Sequence, residues 1–168
     1  LYRQDKYEDA IGTYLIKISS KNLSVKESNN VSVLLNCIGD FERIGDHALN
    51  IANLSLEMKD KQIEFSPLAL KELEVVKEAL KEIVLITEKA FDSESVETAY
   101  MVEPLEQVID SLKRKIKAGH VNRLRQGDCT IELGFVLSDI VNDFERIADH
   151  CSNIAVCFIE TTNDSFEL

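Results

Sequence analysis

Residues 40–47 and 143–150 carry nearly the same sequence, 103 positions apart. The first segment reads Asp-Phe-Glu-Arg-Ile-Gly-Asp-His, and the second differs from it only by Ala in place of Gly. Over the longer windows 40–52 and 143–155, 10 of 13 positions agree. Agreement this dense at one fixed offset indicates an internal duplication. Most of the shared residues are charged or polar, whereas a repeat kept for packing would share Leu and Val, so the motif points to chemistry.

The composition is typical of a soluble globular domain with a strong negative charge. The chain has 168 residues, of which 45% are hydrophobic and 29% are charged, and only 2 are Pro. This length is enough for a sizeable core, and the scarcity of Pro favours long helices. The net charge of -11 would repel nucleic acid and anionic lipid, and it favours cations as ligands. No apolar run reaches the roughly 18–20 residues that a bilayer span needs.

The four cysteines have no C-x-x-C spacing, and three of them, Cys37, Cys151 and Cys157, lie in apolar helical patterns. We interpret them as buried free thiols of a protein in a reducing compartment. Disulfide pairing and thiolate metal ligation are the less favoured alternatives.

Helical periodicity runs through the whole chain, and the period-two alternation of strands is absent. Five long helices are predicted, from Leu1 to about Leu23, from the caps Ser28–Asn30 to about Lys59, from Pro67 to about Phe91, from Ser95 to about Leu124 and from about Cys129 to Ile159. Ser66 before Pro67 is a start signal, and Pro104 predicts a kink or a restart in the fourth helix. The predicted fold is all-α, an antiparallel helical bundle.

Each motif helix separates apolar from acidic residues around its circumference. At about 100° per residue, apolar side chains gather on one side, namely Cys37, Phe41, Ile44, Ala48 and Ile51 in the first copy and Phe144, Ile147, Cys151, Ile154 and Phe158 in the second. The opposite side carries Glu42, Asp46, Asn50 and Asn53 in the first copy and Glu145, Asp149 and Asn153 in the second. A Glu and an Asp four residues apart stack like charges, which destabilises a bare helix and calls for a compensating cation.

Another Glu-x-x-x-Asp pair, Glu106 and Asp110, lies on the helix just before the second motif helix. Neighbouring helices of a bundle pack antiparallel, so these two acids are expected to face Glu145 and Asp149. Four carboxylates on one patch suit a hard cation or an oxygen-bridged metal cluster.

The first half has fewer acids in the same alignment. Glu8 aligns with Glu106. Gly12, however, stands where Asp110 stands, and Asp5 is three residues out of register. We therefore expect metal to bind more tightly in the second half, because each added anionic ligand raises the affinity for a cation.

Three pairs of polar motif residues flank the acids, Arg43 and Arg146, His47 and His150, and Asn50 and Asn153. The arginines are expected to hold the acids by salt bridges. The histidines are expected to support the metal ligands from behind or to have a packing role, with direct metal binding as the alternative. The asparagines either orient carboxylates or bond back to their own helix, and both alternatives stay open.

The doubled motif, with one copy in each helical half, resembles the PhoU family of phosphate-signalling proteins, and the resemblance covers almost the whole chain. Finer features are similar to the PhoU-type cytoplasmic region at the C-terminus of bacterial sodium/phosphate cotransporters, and they lie in residues 5–15, 102–110, 129–135 and 138–155. The resemblance implies two three-helix bundles side by side. The first repeat would cover residues 1–60 and lack its first helix, and the second would cover residues 61–168.

The resemblance further implies a regulatory, non-catalytic role in phosphate uptake, with iron or zinc held by the paired acids. Mg, Mn or Ca would also suit oxygen ligands. The family's metal residues carry over to Glu42, Asp46, Glu106, Asp110, Glu145 and Asp149, and less securely to Glu8.

The expected partner is the membrane permease of a sodium-dependent phosphate cotransporter, as part of the same polypeptide. The chain would then be a cytoplasmic domain of an inner-membrane protein, in line with a first residue that is Leu and not Met. A second copy of the chain and inorganic phosphate are further candidate partners, and nucleic acid is not.

Two other function classes stay open. A di-iron carboxylate enzyme also gathers acids in a helical bundle, but such enzymes use a Glu-x-x-His pair, whereas Glu42 and His47 are five residues apart. The third class is an inert helical scaffold that binds its partners without metal.

With only two helices, the first repeat is expected to leave an apolar face uncovered. An exposed apolar patch of this kind tends to find a partner. The second half, or a second copy of the chain in a symmetric contact, should therefore cover the region around Ile11, Leu15 and Phe41.

Overall fold

The computed structural model describes the backbone of residues 2–164 and the side chains of residues 4–161. Its described elements are all α-helices, so the predicted all-α class is confirmed. Five of the helices are long and one is a single turn, and their bounds are α1 Tyr2–Ser19, α2 Val25–Lys61, α3 Pro67–Ser93, α4 Val96–Ala99, α5 Val102–Gln126 and α6 Ile131–Asp164.

The start of α2 is set by a capping box one turn before the predicted cap. The backbone N–H of Glu27 donates to Ser24 Oγ at 3.3 Å, and the N–H of Ser24 donates to the Glu27 carboxylate at 2.8 Å. These two bonds satisfy donors that a helix N-terminus otherwise leaves open. The predicted cap at Ser28–Asn30 is wrong, because those residues already lie inside the helix.

The predicted fourth helix is interrupted before Pro104 and not at it. The short helix α4 ends at Ala99, and α5 begins at Val102. Pro104 therefore falls in the first turn of α5, where its missing N–H has no helical acceptor to lose. The start of α3 at Pro67, capped by Ser66, is as predicted.

The core lies between α3, α5 and α6, with α2 packed along α6. Its largest fully buried side chains come from all four helices and include Val76, Ile83, Ile109, Ile116, Leu137, Val141, Cys37 and Cys151. Among the described helices, α1 packs against α2 alone. The two motif helices thus form the spine of the molecule, and α1 and α5 flank it.

The apolar face of the first repeat is only partly covered. Leu15 is buried, but Ile11 is 45% exposed and Phe41 is 37% exposed. The second half contributes cover through Phe91 of α3, whose ring meets that of Phe41 edge-on at 5.0 Å, and Phe158 of α6 continues the contact at 5.5 Å. A groove of about 370 Å³ between α1 and α2 stays open beside them.

None of the helices within residues 2–164 combines the length and the apolar content that a bilayer span requires.

A buried ion pair ties α3 to α5. Arg123 Nη1 donates to the Glu72 carboxylate at 2.8 Å, and the Arg123 side chain is only 5% exposed. Two further nitrogens of this guanidinium have no partner among the described residues. Loss of the carboxylate would leave a buried cation without compensation.

The Glu72→Gln variant should therefore lower the free energy of unfolding by about 1.5–3 kcal/mol, the range for hydrogen bonds to charged groups. The matched control is Glu74→Gln, which removes an exposed carboxylate paired with Lys77 on the same helix. The control should cost less than about 1 kcal/mol. Urea unfolding of the two variants measures the difference, and equal losses would contradict the buried pair.

Candidate functional site

The two motif helices bind each other through the first and last residues of the motif. His47 Nδ1 on α2 is hydrogen-bonded to Asp143 on α6 at 2.7 Å, and His150 Nδ1 on α6 is hydrogen-bonded to Asp40 on α2 at 2.7 Å. The two bonds are reciprocal, because each motif gives one Asp and one His to the other. They fix α2 and α6 as antiparallel partners.

The two histidine rings also meet at the centre of this exchange. The rings of His47 and His150 are stacked, with centroids 5.7 Å apart and planes 24° from parallel. Asn153 Nδ2 adds a bond of 3.2 Å to Asp40, whereas Asn50 is exposed and lines a cavity of about 390 Å³ with Asp143. Both histidines therefore join the repeats, a role that the sequence reasoning missed. The available signal was an Asp and a His seven residues apart, which share one helix face.

The acidic side of α2 meets α1. One carboxylate oxygen from each of Asp5, Glu42 and Asp46 lies within 4.8 Å of the others. Burial raises the pKa of Glu42, and the neighbouring Asp46 raises it further. The charges of Glu8 and Asp5 add smaller increases to the Glu42 pKa. We call Asp5, Glu8, Glu42 and Asp46 the first acidic patch.

One carboxylate oxygen of Asp46, in the first acidic patch, has no donor among the described residues. This atom, Oδ1, is also buried. A buried carboxylate oxygen without a donor is costly unless a cation meets it. The oxygen-only donor set and this orphaned atom fit a hard metal ion.

The acidic side of α6 meets α5 in the corresponding way. Burial raises the pKa of Glu106, and the charges of Glu103, Asp149, Asp110 and Glu145 raise it further. Burial also raises the pKa of Asp149. The acids of α5 and α6 thus influence one another, but no three of them bring carboxylate oxygens within 4.8 Å of one another as Asp5, Glu42 and Asp46 do. We call Glu106, Asp110, Glu145 and Asp149 the second acidic patch.

Basic side chains partner most of the second acidic patch. Lys113 Nζ on α5 bonds to the Glu145 carboxylate on α6. Asp110 is paired with Arg114 at 2.5 Å, and Asp149 is paired with Arg146 at 3.5 Å. The expected salt bridge of Arg146 is thus present, whereas Arg43 is exposed and none of the described ion pairs includes it.

The contacts place α1 one heptad away from the predicted alignment with α5. That alignment pairs Leu15 with Lys113, and Lys113 contacts Glu145, so Leu15 would lie beside the equivalent Glu42. The α1 side chains beside Glu42 are instead Asp5 and Glu8. Asp5 therefore takes the place of Asp110. The prediction erred because the acidic α1 sequence offers several registers and little else to choose between them.

The variable motif position, Gly45, lies under the end of the Gln4 side chain of α1. An added Cβ at Gly45 would come within 2.3 Å of Gln4 Nε2. The second motif has Ala148 at this place.

Comparison with known proteins places the chain in a family. A sequence model described as the PhoU domain matches residues 2–55 and 71–157. This chain belongs to the PhoU domain family. A curated relative is the phosphate-specific transport system accessory protein PhoU homolog 1 of Thermotoga maritima, 34% identical over 146 residues. The match covers 86% of this chain and 62% of that protein, so this chain spans less than two thirds of the length of the relative.

A solved structure has the same fold. The crystal structure of PhoU from Pseudomonas aeruginosa superposes with a TM-score of 0.88 at 19% identity, over 96% of this chain and 77% of that chain. The antiparallel helical bundle predicted from the sequence is thereby confirmed.

The expectation of a permease within the same polypeptide is wrong. The Thermotoga maritima relative is an accessory protein of its transport system and not part of a permease chain. The sequence reasoning failed here because motif similarity among PhoU-type domains carries no information about what a domain is joined to.

A double-mutant cycle tests the reciprocal bonds between the motifs. His47→Gln combined with Asp143→Asn should reveal a coupling of about 1–3 kcal/mol in the free energy of unfolding, because the two side chains share one largely buried bond. The control cycle combines His47→Gln with Asp139→Asn, a change at an exposed residue one turn earlier on α6. That cycle should give less than about 0.5 kcal/mol. Equal couplings would show that the bond does not join the repeats.

Proposed function

We propose that this chain is a metal-binding regulator of phosphate uptake and not an enzyme. The observation that carries the proposal is the first acidic patch, where carboxylates of Asp5, Glu42 and Asp46 from two helices converge and one buried oxygen has no partner among the described residues. Membership of the PhoU domain family supports the link to phosphate. The metal would neutralise the patch and tie α1 to α2.

The donor chemistry narrows the choice of metal. Asp5, Glu42 and Asp46 offer carboxylate oxygens only, which suit Mg, Mn, Ca and iron, with zinc also compatible. Iron and zinc are the ions that the family resemblance favours. A bound ion would supply positive charge and a coordination site for an anion at an otherwise negative surface.

Inorganic phosphate would reach the molecule through that ion. The acidic patches repel a free phosphate dianion by themselves, so direct binding without metal is disfavoured. Phosphate regulation through a metal-loaded patch therefore makes metal occupancy the first requirement of the proposed function.

The proposed partner is the membrane permease of a phosphate uptake system, contacted from the cytoplasmic side. The Thermotoga maritima relative is by name an accessory protein of a phosphate-specific transport system, which supports this choice. A sodium-dependent transporter is the form that the finer sequence resemblance favours. The open groove beside Ile11 and Phe41 is a surface through which a second copy of the chain would pair.

The di-iron enzyme is the less favoured alternative. Such enzymes hold their metals inside the bundle with histidine ligands next to the acids. Here His47 and His150 are engaged by carboxylates of the opposite repeat, and the acidic patches lie on the flanks of the spine. The third class, an inert scaffold, would offer nothing to offset the cost of the buried Asp46 oxygen that has no partner among the described residues.

Removal of the first acidic patch should remove metal. The double variant Glu42→Gln with Asp46→Asn should lose most of the metal that co-purifies with the untagged protein, measured by elemental analysis. Glu145→Gln with Asp149→Asn should lose less, because those acids already have basic partners. This order is the reverse of the one expected from counting acids. Equal loss from both pairs, or no metal in the wild type, would contradict the proposal.

The same double variant should change phosphate uptake by the host organism. Introduced at the native gene, Glu42→Gln with Asp46→Asn should make the uptake of radiolabelled phosphate insensitive to the external phosphate level. The control is Glu57→Gln with Asp60→Asn, which removes two exposed carboxylates from the same helix. Normal regulation in the first variant, at normal protein levels, would separate the patch from transport control.

A further inference from the structure

The two acidic patches differ in the sign of one charge at a matched place. On α5, Lys113 contacts Glu145 of the second motif, and both side chains are largely buried, 16% and 23% exposed. On α1, Glu8 lies beside the equivalent Glu42, and both side chains line the groove between α1 and α2.

The spacing along the helices supports this equivalence. Asp5 takes the place of Asp110, and each is followed three residues later by the side chain in question, Glu8 after Asp5 and Lys113 after Asp110. Three residues bring both side chains to the same helix face as the preceding Asp. The two repeats therefore carry opposite charges at one corresponding position, Glu8 on α1 and Lys113 on α5.

We propose that Lys113 is a built-in cation of the second acidic patch, so that only the first patch requires a metal ion for neutralisation. This inference rests on the proposed metal-binding function and assigns different affinities to the two patches. Lys113 is then the residue that sets the lower affinity of the second patch for divalent cations.

Lys113 is better placed for this role than the neighbouring arginines. Arg114 and Arg146 are 69% and 62% exposed, and each pairs with an acid of its own helix. Exposed pairs of this kind are weak and give way readily. Lys113 instead crosses from α5 to α6 with little exposure, and Lys117, one turn on, holds Asn142 at 2.9 Å.

A metal ion that enters the second patch must displace the ammonium group or bind beside it. Either course lowers the affinity of the second patch for the metal ion, because a nearby positive charge disfavours a bound cation. The first patch imposes no such cost at position 8, where Glu8 adds an anionic group. The charge reversal thus separates two sites that share one motif.

The test isolates the second patch and reverses the charge at Lys113. In a background of Glu42→Gln with Asp46→Asn, Mn²⁺ binding is measured by the loss of the free-ion electron paramagnetic resonance signal. Adding Lys113→Glu should tighten Mn²⁺ binding by at least about tenfold, by analogy with the effect of a nearby charge on proton affinity. Lys115→Glu is the matched control, since it makes the same change of net charge at an exposed position of α5.

The reciprocal change tests the first patch in the otherwise unaltered protein. Glu8→Lys should weaken Mn²⁺ binding by about the same factor, whereas Asp9→Lys, the exposed neighbour, should weaken it less. Circular dichroism verifies folding, and Lys113→Gln, with a smaller expected gain, replaces Lys113→Glu where that variant does not fold. Equal binding by the Lys113 and Lys115 variants would overturn the inference. A wild type that binds no Mn²⁺ would refute the proposed function, yet a gain in Lys113→Glu would still support the role of Lys113.

Discussion

The reciprocal hydrogen bonds between Asp40 and His150 and between Asp143 and His47 determine how the rest of the molecule is arranged. They fix α2 and α6 as antiparallel partners and set the register between them. Once that register is set, the acidic side of each motif helix turns away from the spine, toward α1 on one flank and α5 on the other. The eight-residue motif thus provides both the joint between the repeats and two acids of each acidic patch.

The sequence predicted what is local and could not predict what is long-range. Helix existence, the start at Pro67 and the acidic faces follow from periodicity and capping, which act within a few residues. The pairing of His47 with Asp143 joins positions 96 residues apart, and neither segment contains a local signal that identifies the other as its partner. The register of α1 also failed, because acids at three of five consecutive positions, Asp5, Glu8 and Asp9, allow several alignments with similar charge.

The two patches illustrate how a duplication diverges without losing its motif. Glu42 and Glu145 occupy equivalent places on α2 and α6, but their surroundings come from α1 and α5, which share little sequence. On one flank the neighbours are carboxylates, and an oxygen of Asp46 has no donor within residues 4–161. On the other flank Lys113 supplies the missing charge. The chemistry of an identical motif is therefore decided by the helix opposite to it.

The exchange of Asp and His between the motifs has the form of an isologous contact, in which a surface binds a copy of itself. Each motif helix already contains both partners of the contact, one Asp and one His. Placing two copies on one chain makes their meeting independent of protein concentration, since the tether keeps the effective concentration of each repeat high. It also frees the two copies from being identical, a freedom that a symmetric dimer of one gene product does not have.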